Sequence, residues 1–162
     1  MSPQTIVVLD DEPVALGELA RMLAQAGHEV RRACGTVAEA CAALAATPPP
    51  DLLVADLFIE RAPTGLEACR EASRLGIPYF LVTGYPAAEA LRHVVGARPL
   101  GLLYKPPDYK DLVTRIELAF KRRAGPAEQA EPATVSFRVG GRTVVLAADD
   151  VVYVESHGNH SS

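Results

Sequence analysis

The sequence predicts an α/β fold, a parallel sheet covered by helices on both faces, followed by a short C-terminal β segment. Three observations predict it. The apolar runs Ile6-Val7-Val8-Leu9, Leu52-Leu53-Val54-Ala55-Asp56-Leu57, Tyr79-Phe80-Leu81-Val82 and Leu102-Leu103-Tyr104 show no alternation, which suits strands buried on both faces. Helical spacing recurs between the runs, so strand and helix alternate five times, and right-handed crossovers follow. Beyond residues 124–133, rich in Ala, Gly, Pro, Glu and Gln and read as a linker, the hydrophobic period becomes two.

Length and composition narrow the class. A chain of 162 residues holds one ordinary domain with a good core and a small remainder. Hydrophobic residues make up 49%, charged residues 22%, and the net charge is −4, a balance that suits a globular protein and announces no nucleic acid partner. No apolar run approaches the ~20 residues that span a bilayer, and no charged region followed by an apolar signal segment opens the chain, so the expected compartment is the cytoplasm, with no membrane partner. Cys34, Cys41 and Cys69 form no CxxC pair and read as reduced core or helix residues.

Each element has its own signals. Residues 6–9 form the first strand, and Pro13 sits where the first helical turn tolerates a missing N–H. Leu16, Leu19, Ala20 and Leu23 give that helix its apolar spacing, and Gly27 stops it. Residues 28–33 read as a strand nearer the edge, because Glu29, Arg31 and Arg32 break its apolar run. Thr36 caps an alanine-rich second helix that ends before Pro48-Pro49-Pro50, and the prolines force an extended entry into the Asp56 strand. A loop from Phe58 to Thr64 leads to a helix from about Gly65 to Leu75. The fourth strand is followed by Thr83-Gly84-Tyr85-Pro86 and a helix carrying Ala87 to Val95. Gly101 opens the fifth strand, Lys105-Pro106-Pro107-Asp108 closes it, and Leu112, Ile116 and Ala119 stripe the last helix. In the tail, Val135-Phe137-Val139, Val144-Leu146 and Val151-Tyr153 read as short strands, with Gly140-Gly141 as a hairpin turn.

Strands laid parallel bring their polar ends together. Asp10 and Asp11, Asp56, Thr83 and Lys105 then meet at the carboxyl edge of the sheet, where α/β proteins place ligands. Three close carboxylates raise one another's pKa, and a divalent cation relieves them; Mg²⁺ suits a site that supplies carboxylates and leaves room for water and phosphate oxygens. The first strand–helix turn has no glycine-rich loop to cradle a nucleotide. With metal bound, Asp56 is a candidate nucleophile toward a phosphoryl group, Lys105 a counter-charge for its oxygens and Thr83 a hydrogen-bond donor to them. Singly, an aspartate at a strand end is an ordinary cap and a lysine an ordinary solvated charge. In this order, the conjunction points to phosphoryl chemistry. A phosphatase with an aspartyl nucleophile would want a second acid two residues on, where this chain has Phe58.

Leu9-Asp10-Asp11-Glu12-Pro13, Asp56, Thr83-Gly84 and Lys105-Pro106, across five strand–helix units, resemble the receiver domain of two-component response regulators over about residues 4–123. The resemblance implies a flavodoxin-like sheet of order 2-1-3-4-5 and Asp56 phosphorylated from the phosphohistidine of a sensor histidine kinase. It implies Mg²⁺ held by Asp11, Asp56 and the Phe58 carbonyl, with Asp10 acting through water, and a cis Lys105-Pro106 peptide. Catalysis would be limited to the protein's own phosphoryl transfer and dephosphorylation. A homodimer through the fourth and fifth helices is the expected phosphorylated state. Two departures stand out: Glu60 replaces a frequent proline four residues after the phosphoacceptor, in a loop that reaches Gly65 one residue late, so an altered loop is expected. Leu102 stands where receivers usually carry the aromatic ring that answers the threonine, with Tyr104 on the same strand face, so the switch is assigned to Thr83, Leu102 and Tyr104.

The tail, from Phe137-Arg138-Val139-Gly140-Gly141-Arg142 to Asn159-His160, resembles the start of a LytTR DNA-binding domain. The expected organisation is a receiver at 1–123, a linker at 124–133 and a truncated LytTR-like segment at 134–162. Asn159 and His160 fall in or beside a DNA-reading loop, and DNA is a partner only where the effector is complete. His157 and His160, in a polar terminal loop without further ligands, read as solvated rather than metal-binding. Two functional readings follow: a response regulator controlling transcription through a LytTR effector, or a receiver-only interaction or phosphorelay module.

Overall fold

The computed structural model describes residues 3–94, 96–123, 134–139 and 142–147. Five parallel strands form one sheet in the order β2-β1-β3-β4-β5: β1 Thr5–Leu9, β2 Glu29–Cys34, β3 Leu52–Asp56, β4 Tyr79–Thr83 and β5 Leu102–Tyr104. Between them run α1 Pro13–Gln25, α2 Val37–Leu44, α3 Gly65–Arg74 and α4 Ala87–Val94, with α5 Tyr109–Arg123 after β5. This is the expected flavodoxin-like order, and the polar-broken β2 lies at an edge, as its sequence required.

Alternate strand residues feed two cores. Ile6, Val8, Leu52, Val54, Phe80 and Val82 face one side, where Leu19 and Leu23 of α1 and Leu112 and Ile116 of α5 meet them. Val7, Leu9, Leu53, Ala55 and Leu81 face the other, against Ala40 and Leu44 of α2, Ala68 and Cys69 of α3 and Ala90 of α4. Burial on both faces is why these strands carry no alternation. All three cysteines are free thiols; Cys34 and Cys69 lie in the core, and burial pushes the Cys69 thiol far above its ordinary pKa.

The second strand begins one residue later than expected. His28 is instead consumed in closing α1: its N–H donates to the Leu23 carbonyl at 3.1 Å, while Gly27, at φ +93°, donates to Ala24 at 3.0 Å. That is a Schellman ending, which requires a left-handed residue after the helix cap. At the start of α2 the expected cap is present, the Glu39 N–H donating to Thr36 Oγ1 at 3.2 Å. The third strand stops at Asp56, one residue short of the apolar run, and Gly101 precedes β5 rather than belonging to it.

In the tail, β6 Thr134–Val139 pairs antiparallel with β7 Arg142–Ala147, and Val139 opposite Arg142 closes the ladder around residues 140–141. This agrees with the expected hairpin. Strand β6 runs beside β5 and α4, within 8 Å between Cα atoms. The expected linker, the Val151-Tyr153 strand, His157, Asn159 and His160 lie outside the described residues. Among the described residues, no helix is long and apolar enough to cross a membrane.

Candidate functional site

The carboxyl edge of the sheet gathers the predicted groups. Asp10 follows β1 and is 2% exposed; Asp56 ends β3 and is 5% exposed; Thr83 ends β4 and is fully buried. Carboxylates at that depth need partners. Lys105, just after β5, supplies one to each: its Nζ lies 2.7 Å from Asp10 Oδ2 and 2.7 Å from Asp56 Oδ2. The remaining oxygens turn to the backbone. Asp10 Oδ1 accepts from the Glu12 N–H at 2.9 Å, and Asp56 Oδ1 accepts from the Phe58 N–H at 3.1 Å. Thr83 Oγ1 accepts from the Tyr85 N–H at 3.1 Å. The Lys105–Pro106 peptide is cis, as expected.

Asp11 joins from a more open position. Ligand oxygens of Asp10, Asp11 and Asp56 all lie within 4.8 Å of one another. Three carboxylates against one ammonium leave two negative charges uncompensated within the cluster. Hard oxygen donors at this spacing, short of two positive charges, fit a small divalent cation. The electrostatics agree. Burial pushes the Asp56 carboxyl up to about 6, and neighbouring Asp10 adds to that, while Lys105 and the Phe58 N–H pull it back. Burial alone would lower the Lys105 ammonium, but its hydrogen bonds to Asp10 and Asp56 hold it above its ordinary value.

The loop after β3 is folded onto the site. Glu60 and Arg61 both adopt left-handed backbone, at φ 52° and 64°, a conformation that costs a non-glycine residue about 1 kcal/mol or more. Two hydrogen bonds between Ile59 and Ala62, at 2.9 and 3.1 Å, clamp the reversal. The Glu60 N–H donates to Asp11 Oδ2 at 2.9 Å and so ties this loop to the one after β1. This is the loop in which Glu60 stands, and it reaches Gly65 after the paired left-handed residues Glu60 and Arg61. Gly65 itself packs against backbone: a Cβ there would lie 1.8 Å from the Asp56 carbonyl oxygen. Only glycine fits.

The predicted switch residues have different surroundings. Leu102 is 1% exposed within the core beside α2, α3 and α4, an aliphatic plug. Tyr104 sits opposite Thr83 in the β4–β5 ladder, with a buried hydroxyl that has no hydrogen-bond partner among the described residues. Sequence reasoning missed an aromatic group at the rim. The Phe58 and Tyr85 rings lie 4.0 Å apart, tilted by 31°, and His93 of α4 meets Phe58 edge-on at 5.4 Å. These residues are each two positions past Asp56 and Thr83, or on the facing helix. Their spacing was visible in sequence, but their convergence needed the fold.

Comparison with known proteins agrees with this geometry. The family described as Response regulator receiver domain matches residues 6–117. Among curated proteins, the "Transcriptional regulatory protein PdtaR" of Mycobacterium tuberculosis is 31% identical over 158 residues, covering 96% of this chain and 76% of that protein. Among solved structures, a CheY-like response regulator receiver domain protein from Methanospirillum hungatei superposes with a TM-score of 0.65 at 25% identity, over 76% of this chain and 100% of its own. The signal receiver domain of a modulated diguanylate cyclase from Desulfovibrio desulfuricans gives 0.68 at 22% identity, over 76% of this chain and 98% of its own, and shares the fold. With its sheet order, its acidic edge and a family match across most of its length, this chain belongs to the response regulator receiver family of two-component signalling.

Proposed function

We propose that Asp56 accepts a phosphoryl group from the phosphohistidine of a sensor histidine kinase and that the chain thereby switches between two states. The observation that carries this reading is the Asp56 carboxylate itself. It is nearly buried, ends the central strand, and is held between the Lys105 ammonium at 2.7 Å and the Phe58 N–H at 3.1 Å. An oxygen so fixed is a positioned nucleophile. In the transfer, an Asp56 oxygen forms a bond to phosphorus, the donor P–N bond breaks, and its electron pair leaves with the imidazole, which takes up a proton. The product is an acyl phosphate. Lys105 pairs with oxygen charge as it develops, and Thr83 has a hydroxyl proton left to donate to a phosphoryl oxygen. Asp11, Asp56 and the Phe58 carbonyl would hold Mg²⁺, with Asp10 acting through water. When bound, the ion offsets charge on the transferring oxygens.

The output is transcriptional in this reading, through a LytTR-type effector begun by residues 134–162 and joined by 124–133 to a receiver at 1–123. Support comes from the antiparallel β6–β7 hairpin and from the mycobacterial relative, a transcriptional regulatory protein. Asn159 and His160 would contact DNA in this reading. A phosphorylation-dependent homodimer through α4 and α5 would have to accommodate β6, which already lies beside α4.

The test is intact-protein mass after incubation with acetyl phosphate, with and without Mg²⁺. One Mg²⁺-dependent phosphoryl addition is expected, lost in Asp56→Asn. Labelling that survives in Asp56→Asn would sink the assignment.

A further inference from the structure

The phosphoryl site and α4 are joined by a route that does not use β5. Leu102 presents no ring, and it is sealed in the core. The aromatic group at the rim offers a different connection, and its two halves are anchored at the two groups that answer a phosphoryl. Phe58 donates its N–H to Asp56 Oδ1, so a change at that carboxylate alters the bond that places Phe58. Tyr85 donates its N–H to Thr83 Oγ1, so a turn of that hydroxyl toward a phosphoryl oxygen alters the bond that places Tyr85. The two rings then meet at 4.0 Å. His93 meets Phe58 edge-on at 5.4 Å and sits in the last turn of α4.

We propose that Phe58, Tyr85 and His93 form an aromatic bridge that carries phosphorylation at Asp56 to α4, replacing the ring that position 102 lacks. The bridge rests on the phosphoacceptor reading and adds its route of transmission. Both inputs converge on one ring pair, tilted rather than parallel, a geometry that is sensitive to small displacements because offset and edge contacts depend on ring orientation. Among the described residues, His93 is the α4 ring that meets this pair. Because packed rings have few alternative arrangements, a shift at either anchor moves the stack as a unit rather than being absorbed locally. What lies beyond α4 makes the route useful: β6 runs beside α4, so the chain's own C-terminal hairpin is placed to sense the helix.

The test measures backbone amide exchange across α4 with and without beryllofluoride and Mg²⁺, alongside acetyl-phosphate labelling by mass. In the wild type, exchange over 87–94 changes by about fivefold or more on addition of beryllofluoride, the lower range of ordinary coupling between sites. Tyr85→Leu and His93→Leu keep the phosphoryl addition and lose that response, and Tyr85→Phe restores it. Tyr104→Leu, the competing ring on β5, leaves the response in place. An undiminished response in both Leu variants overturns the bridge, and so does its loss in Tyr104→Leu or a failure of Tyr85→Phe to restore it. Loss of labelling in Tyr85→Leu and His93→Leu also overturns it, because the rings would then build the site rather than report on it. A labelled wild type with a silent α4 refutes the bridge alone. A wild type that takes no phosphoryl group refutes the phosphoacceptor reading as well.

Discussion

The two ends of the sheet bury polar groups on opposite terms. At the carboxyl end, Asp10, Asp56 and Thr83 are buried together, and each accepts a hydrogen bond from a backbone N–H, with Lys105 bridging the two acids. At the amino end, His28 is buried by itself at 6% exposure; its Nδ1 accepts from the Gln4 N–H at 3.2 Å, and its Nε2 has no partner among the described residues. The first arrangement is a set of mutually dependent charges, three carboxylates around one ammonium. The second is a side chain placed by the closing of α1, whose burial lowers its pKa. Burial in this fold therefore means chemistry at one end and cost at the other.

The largest break in that comparison is expected at Gly65. A Cβ there meets the Asp56 carbonyl oxygen at 1.8 Å and the Leu57 carbonyl oxygen at 2.8 Å, both backbone atoms that cannot swing aside. Gly65→Ala should cost on the order of 3 kcal/mol or more in urea denaturation and abolish labelling, because the strand end that holds Asp56 must move. Gly17, within α1, has open space for 4 Å around the position a methyl would take, and Gly17→Ala should stabilise by about 0.5–1 kcal/mol. A tolerated Gly65→Ala would show that the carboxyl end is less rigid than its packing indicates.

Next comes the cation. Mg²⁺ binding only the folded chain stabilises it by about 1.4 kcal/mol at ten times its dissociation constant. Thermal melts of the wild type should rise with Mg²⁺ concentration, and those of Asp11→Asn should rise far less. Asparagine keeps an oxygen for the Glu60 N–H, so the loop tie survives while the charge is lost. Equal Mg²⁺ responses in the two proteins would remove Asp11 from the metal set.

Much of this was legible beforehand, for physical reasons. Unbroken apolar runs announced strands covered on both faces, and polar residues at their ends announced the site, because parallel strands must deliver their ends to one edge. Gly27 and Thr36 announced helix ends because their local chemistry permits little else. The aromatic bridge was not legible, since Phe58, Tyr85 and His93 lie on three separate segments and nothing local requires their rings to meet. Nor was the paired left-handed turn at Glu60 and Arg61, residue types with no preference for it. The one-residue drift of β2 is a boundary effect: His28 belongs to the end of α1, a claim on the chain that alternation does not reveal.

The most gradual effects compare the two ends directly, through pH in the presence of a chelator. Burial displaces both groups toward neutrality, which raises an acid and lowers a base. Asp56 titrates at about 6 in the folded chain against an ordinary value of 3.8, so the folded chain holds the extra proton between those values. Its contribution grows as pH falls through 6 and is lost as pH rises. His28 lies below its ordinary 6.5, burial outweighing the opposing influence of Glu117, so the unfolded chain holds the extra proton. Its contribution is lost as pH falls below 6.5. Asp56→Asn should therefore be more stable than wild type by on the order of 1–2 kcal/mol at pH 8, with the advantage shrinking toward pH 4. His28→Leu should flatten the decline between pH 7 and pH 5 without changing labelling, since among the described residues its ring has no hydrogen bond or ion pair to Lys105 or Asp56. Denaturation curves across that range separate the two, because the slopes have opposite sign. Should His28→Leu alter phosphoryl acceptance, the two ends would be coupled through the sheet, and the division between chemistry and cost would have to be redrawn.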